Sequence, residues 1–234
     1  MNILRKHEVY DMELSKPKMV LIDLDGTLVD SAPDIADCMD EMMVALGMPA
    51  RGEEKARQWI GNGAPRLVKR ALLDSMDGEP DPALYEKAYG IFSDLYAERL
   101  CVRSRLYPGV REGLEALRGM ELQLACVTNK PARFTEPLLE QLGIGPVFGL
   151  ILSGDSLPRK KPDPLPLRHA AEFFSVTPAQ SLMVGDSEND VKAARAADFP
   201  VVCVDYGYNH GNDIHAAGPD AVIHSLAELP GLFD

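Results

Sequence analysis

Asp23 and Asp25 stand two residues apart in the stretch Val-Leu-Ile-Asp-Leu-Asp-Gly-Thr-Leu-Val-Asp, residues 20–30. In extended chain, side chains at i and i+2 point the same way, so two carboxylates share one space while Leu24 turns to the other side. Like charges this close repel, and a chain tolerates them where a cation lies between them or where one keeps a proton. A bare Asp-x-Asp pair also reads as an acidic turn after a core strand, but the full Asp-x-Asp-Gly-Thr string is rarer. Three more groups suit the same chemistry. Thr128 and Asn129 close an apolar run, Asp186 closes another with Asp190 four residues on, and Lys161 lies in the proline-stiffened loop Arg159-Lys160-Lys161-Pro162-Asp163-Pro164.

A carboxylate can attack phosphorus to give an aspartyl-phosphate. In that scheme Asp23 attacks, and Asp25 gives a proton to the leaving oxygen and later takes one from water. To do so Asp25 must hold a proton, which a neighbouring carboxylate and a bound phosphate would favour. Thr128 and a backbone N–H would hold phosphoryl oxygens, and Lys161 would neutralise charge in the transition state. Each group has an ordinary reading too: a strand-end Thr is commonly a turn residue, and a Lys beside Pro is commonly solvated. Mg²⁺ prefers hard oxygen ligands and takes one or two carboxylates beside substrate phosphate, an inventory that Asp23, Asp25 and Asp186 supply. His7, His169, His210, His215 and His224 show no zinc-ligand spacing near these acids.

These groups can meet only if the elements before them end on one edge. The run 18–24 reads as a first strand, buried on both faces. Ser31, with Asp34 three residues on, resembles a helix cap; Pro33 suits a first turn, and Ile35, Met39, Met42 and Leu46 make an apolar stripe that Gly47 and Pro49 end. Its methionines read as core rather than as sulfur ligands. Helical spacing continues over 53–60, 64–73 and 82–100, with no strand pattern among them. From Tyr107 helices (110–117, 133–142, 165–174 and 189–197) alternate with strands (122–127, 150–153, 182–184, 201–204 and 221–223). This alternation predicts an α/β fold, a parallel sheet with helices on both faces and an all-helical insertion after the first strand. The expected division is 1–30 with 103–234 for the core and 31–102 for the inserted helices, with 1–17 a loosely attached leader.

Across 234 residues, 46% hydrophobic and 26% charged content suits an ordinary globular chain with a substantial core. The 24 basic and 36 acidic side chains give a net charge of -12, which disfavours nucleic acid and anionic membrane as partners. Cys38, Cys101, Cys126 and Cys203 are scattered singly, which reads as free thiols in a reducing cytoplasm. No apolar run suggests a signal peptide or a membrane span.

At these residues the chain resembles the haloacid dehalogenase superfamily of Mg²⁺-dependent phosphotransferases. The four motifs of that family are matched by Asp-Leu-Asp-Gly-Thr-Leu-Val-Asp from Asp23, Val-Thr-Asn-Lys ending at Lys130, Lys-Pro-Asp-Pro from Lys161, and Gly-Asp-Ser-Glu-Asn-Asp from Gly185. The resemblance implies a Rossmann-like core with the first motif on its central strand, and a helical cap inserted just after it. It also implies Asp23 as nucleophile and Asp25 as acid and base. Mg²⁺ would be held by Asp23, Asp186 and the main-chain carbonyl of Asp25, with Asp190 behind them orienting Lys161 or a metal-bound water. Gly26 and Asn129 would contact substrate.

Two further stretches, Trp-Ile-Gly-Asn-Gly-Ala from Trp59 and Tyr-Gly-Tyr-Asn-His-Gly from Tyr206, resemble members of the family that hydrolyse a small phosphorylated acid. Backbone N–H groups near Gly63 at the start of a helix, with Arg66 one turn on, could hold an anion; the plainer reading is a turn that shapes the closed site. A small phosphorylated metabolite is therefore the expected substrate, and the chain is expected to work as a monomer or homodimer. A sugar-phosphate phosphatase, a phosphomutase and a non-catalytic phospho-binding protein are the other readings. A dehalogenase fits less well, because that chemistry has no use for the acid Asp25.

Overall fold

The structure is a computed structural model and describes residues 14–233. A six-stranded parallel sheet forms the centre. Its strands in chain order are β1 (Met19–Ile22), β4 (Gln123–Val127), β5 (Leu150–Leu152), β6 (Ser181–Gly185), β7 (Val201–Val204) and β8 (Ala221–Ile223). In space they run β5-β4-β1-β6-β7-β8, so β1 is central, between β4 and β6. The register pairs Ile22 with both Cys126 and Val184. Parallel strands in that register bring Asp23, Thr128 and Asp186 to one edge, where open α/β sheets bind ligands.

Strand β1 is buried at every residue because both faces are covered. Its pleat divides them: Val20 and Ile22 join a core with Leu114, Leu117, Leu138 and Leu139, while Met19 and Leu21 join Leu167, Ala170, Ala193 and Ala194. Helices α5 (Val110–Gly119) and α6 (Ala132–Gln141) thus cover one face, and α7 (Leu165–Phe174) and α8 (Glu188–Ala197) the other.

Helices α1 (Ala32–Ala45), α2 (Glu53–Trp59), α3 (Ala64–Leu73) and α4 (Pro82–Glu98) occupy the stretch between β1 and the rest of the sheet. They bury a separate core around Met39, Met42, Met43, Val68, Phe92 and Tyr96, which confirms the methionine stripe as packing. Phe134 and Tyr208 reach into this core from outside the four helices. Cys38, Cys126 and Cys203 are buried thiols and Cys101 is half-buried, all four unbridged.

Two expectations need correction, and one pair of strands was not expected. First, Ser31 and Asp34 do not cap α1. Ser31 Oγ donates to Asp25 Oδ1 at 2.6 Å, and Asp34 accepts from Arg103 N (2.9 Å), Ser104 N (2.7 Å) and Ser104 Oγ (2.6 Å). Asp34 thereby ties the chain leaving the first sheet strand to the chain returning to it. Beside that crossing β2 (Val29–Asp30) pairs antiparallel with β3 (Arg105–Leu106), two strands too short to carry a period in sequence. Second, the proposed leader is attached over its described part: Leu14 N donates to Leu232 O at 2.8 Å, and Pro17 is buried. Residues 1–13 of that leader lie outside the described residues.

Asp34 is 2% exposed, so removing its carboxylate strands several buried donors at once. Asp34→Ala is expected to cost about 2 to 4 kcal/mol in urea unfolding. A midpoint unchanged from the native protein would show that the crossing does not depend on this carboxylate.

Candidate active site

The strand edge gathers Asp23, Asp186, Asp190, Lys161 and Thr128, all largely withdrawn from water. Asp23 Oδ1 accepts from Leu24 N at 2.7 Å and pairs with Lys161 Nζ at 2.9 Å. Lys161 Nζ also reaches Asp190 Oδ1 at 2.7 Å and donates to Val127 O at 2.6 Å, so its three N–H bonds are all directed. The loop that carries Lys161 approaches the edge through a cis Lys161-Pro162 peptide.

Burial pushes the Asp23 carboxyl up to about 7 against the pull of Lys161, with Asp190 adding to the rise. The Asp186 carboxyl is held well above the usual carboxylate range by burial first, then by Asp23 and Asp190. Burial works against the Lys161 ammonium, yet Asp190 and Asp23 outweigh it and raise its basicity. These acids form a site that carries excess negative charge in a dry place.

Asp186 is gripped closely. Its Oδ1 accepts from Thr27 Oγ1 at 2.8 Å and its Oδ2 from Tyr208 N at 2.8 Å. Gly26 makes room for it: with φ at +91°, a Cβ on Gly26 would lie 2.3 Å from Asp186 Oδ2. The Gly26 N–H donates to Val29 O at 2.9 Å.

One carboxylate oxygen from each of Asp23, Asp186 and Asp190 falls within 4.8 Å of the others. Asp190 has both oxygens committed, Oδ1 to Lys161 and Oδ2 to Ser187 N (3.1 Å) and Ser187 Oγ (2.7 Å). Asp23 and Asp186 retain lone pairs, and the main-chain carbonyl of Asp25 takes no hydrogen bond among the described residues. An all-oxygen donor set with surplus negative charge fits a hard divalent cation.

Asp25 lies beside this cluster on the wall of a cavity enclosing about 450 Å³, part of it open to solvent. Lys130 Nζ reaches its Oδ1 at 3.0 Å and Oδ2 at 3.1 Å, and donates to Tyr96 OH at 2.6 Å. Thr128 Oγ1 accepts from Lys130 N at 3.1 Å. Asn129 Nδ2 donates both to Lys161 O and to Gly61 O, each at 2.9 Å, and Lys160 Nζ donates to Asn62 O at 2.8 Å. The loop between α2 and α3 thus rests on the strand edge. Gly63 can lie there because it lacks a Cβ, which would stand 2.7 Å from Asn129 O.

Arg66 does not reach the cavity and is corrected as an anion contact. Its Nη2 donates to Met76 O at 2.9 Å and its Nη1 to Gly78 O at 3.1 Å, tying α3 to the turn after it. Ala64 and Leu67, three apart and on one face of α3, line the cavity instead, and the helical turn aims Arg66 elsewhere. Three contributors were given no role of their own from the sequence, Tyr96, Lys130 and Tyr208, and Ser31 was given only that of a cap. Lys130 had a visible signal, since it directly follows the strand-end Thr and Asn. Tyr96 lies among the apolar spacings of α4 and reads as core.

With Asp23 held up to about 7, the folded chain binds protons that the unfolded chain does not, from the ordinary carboxylate range up to pH 7. Stability therefore falls as pH rises through that window. With divalent ions chelated, Asp23→Asn is expected to melt several degrees above the native protein at pH 8, where Lys161 keeps Asp190. The gap should close towards pH 5; a gap independent of pH would contradict the charge-crowding account.

The family model of haloacid dehalogenase-like hydrolases matches residues 17–198. Phosphoglycolate phosphatase of Nitrosococcus oceani is 58% identical over 219 residues, covering 94% of this chain and 97% of that protein. Phosphoglycolate phosphatase of Thiobacillus denitrificans is 53% identical over 211 residues, covering 90% and 93%. A crystal structure described as a predicted phosphoglycolate phosphatase from Haemophilus somnus superposes with a TM-score of 0.87 at 38% identity, covering 92% of this chain and 97% of that one. With the matched model spanning most of the chain and relatives above half identity along nearly its full length, this protein belongs to the haloacid dehalogenase-like hydrolase family.

Proposed function

We propose that the chain is a Mg²⁺-dependent phosphomonoesterase that hydrolyses 2-phosphoglycolate to glycolate and phosphate through an aspartyl-phosphate on Asp23. The observation that carries this reading is the pairing of Asp23, held in place by buried Lys161, with Asp25 two residues on at the cavity wall. The names of the relatives support the choice of substrate.

Asp23, Asp186 and the carbonyl of Asp25 would hold Mg²⁺, which supplies charge neutralisation for the phosphoryl group when bound. Asp23 attacks phosphorus as a carboxylate, and the ester bond to the leaving oxygen breaks. Asp25 donates a proton to that oxygen and then takes one from the water that opens the acyl-phosphate. Thr128 and a backbone N–H hold phosphoryl oxygens, and Lys161 balances their charge. Asp190 keeps Lys161 oriented.

In this reading 1–30 with 103–234 form the catalytic core and 31–102 a cap. The contact of Asn129 with Gly61 O supports closure of that cap over the substrate. The net charge of -12 supports a freely diffusing metabolite as partner rather than nucleic acid or membrane. Among the described residues no helix is long and apolar enough to cross a membrane. We place the protein in the cytoplasm, as a monomer or homodimer.

Phosphate release from p-nitrophenyl phosphate tests the chemistry. Asp23→Asn and EDTA should each lower the rate by about a thousandfold or more. Multiple turnovers untouched by Asp23→Asn would refute the nucleophile. Across a panel of phosphorylated metabolites, 2-phosphoglycolate should have the highest kcat/KM, and a sugar phosphate exceeding it about tenfold would refute the substrate.

A further inference from the structure

Lys130 is the only cation lining the cavity among the described residues, whose other walls include Ile35, Ile60, Leu67, Phe92 and Phe134. Its residue is 4% exposed, and an ammonium so far from water needs anionic or polar partners. Asp25 is one and Tyr96 OH is another. The Tyr96 ring also lies under the ammonium, 4.7 Å from Nζ to centroid.

Tyr96 contributes a second feature. Its hydroxyl oxygen accepts from Lys130, but its own O–H proton has no acceptor among the described residues, although the side chain is 1% exposed. Stacking on Phe92 at 5.5 Å and an edge contact with Phe134 at 5.0 Å keep the ring from swinging away. A fixed, unused donor beside a fixed ammonium, flanked by the apolar rings of Phe92 and Phe134, suits one ligand chemistry: a small anion that arrives already attached to the reacting phosphate. The dry surroundings strengthen such a contact.

Resting on the phosphomonoesterase reading, we propose that Lys130 and Tyr96 form the seat for the carboxylate of the leaving group, and so select phosphorylated acids over neutral phosphate esters. Tyr96 comes from α4 and Lys130 from the strand edge, so the seat is complete only when the inserted helices lie against the core. Lys130 also touches Asp25, which makes it a positioning residue for the acid as well as a specificity residue.

The test compares 2-phosphoglycolate with 2-hydroxyethyl phosphate, which has the same chain length and no carboxylate. Tyr96→Phe keeps the ring and its stacking and removes only the hydroxyl; it should raise KM for 2-phosphoglycolate about fivefold or more while shifting that for 2-hydroxyethyl phosphate less than about twofold. Lys130→Met should lower kcat on both substrates through Asp25. It should in addition reduce the preference for the acid, as a ratio of kcat/KM values, by about tenfold or more. Lys130→Arg should restore part of that preference. If the native protein prefers the acid and the variants keep the preference, the seat is refuted while the substrate reading stands. If the native protein shows no preference for the acid, the substrate reading and the seat fall together.

Discussion

The Lys161 ammonium between Asp23 and Asp190 is the interaction on which the rest of the site depends. An isolated charge at 2% exposure would cost several kcal/mol to bury, and two carboxylates and a carbonyl offset that cost only while all stay in line. That requirement sets the course of three segments. Strand β1 must end at Asp23, β4 must present the Val127 carbonyl, and the start of α8 must present Asp190, whose second oxygen is held by Ser187. The sheet register makes this possible by starting all three turns at one level. Because the single charge of Lys161 is set against the three carboxylates Asp23, Asp186 and Asp190, the site has a surplus of acidic groups, the condition that makes a divalent cation a favourable occupant.

A second pair is arranged differently. Asp25 lies on the side of the inserted helices, and its partners Lys130, Ser31 and, through Lys130, Tyr96 join the two parts of the molecule. The carboxylate expected to attack is thus anchored wholly within the core, whereas the one expected to move protons is anchored partly by the helices above it. Packing supports the division, since Phe134 and Tyr208 extend into the helical core while Asp34 locks the crossing chains. Tyr208 serves both parts: its N–H holds Asp186 at 2.8 Å, and its hydroxyl oxygen accepts from Ser31 N at 2.9 Å and Ala32 N at 3.0 Å at the start of α1.

Much of this was legible from residue types and periods. Strand and helix alternation, the helical insertion and the polar residues at three strand ends follow from patterns that depend on neighbours in sequence. The misreadings share a cause. Ser31 and Asp34 have the spacing of a helix cap, but Asp25 and Ser104 compete for them across longer separations and win. Arg66 follows a glycine loop, and nothing local says which face of α3 it takes. Strands β2 and β3 have two residues each, too few to display a period.

The sequence by itself determined the fold class, the order of its elements, and the set of groups at the strand ends, because burial alternation and the chemistry of Asp, Thr and Lys are properties of short stretches. Only the tertiary structure decided which acid each lysine serves. Lys161 meets Asp23 and Asp190, and Lys130 meets Asp25, because sheet register and helix docking bring together groups more than a hundred residues apart in two of these three pairs. The same docking sends Arg66 outward and Tyr96 inward, turning a residue of the helical core into a wall of the cavity.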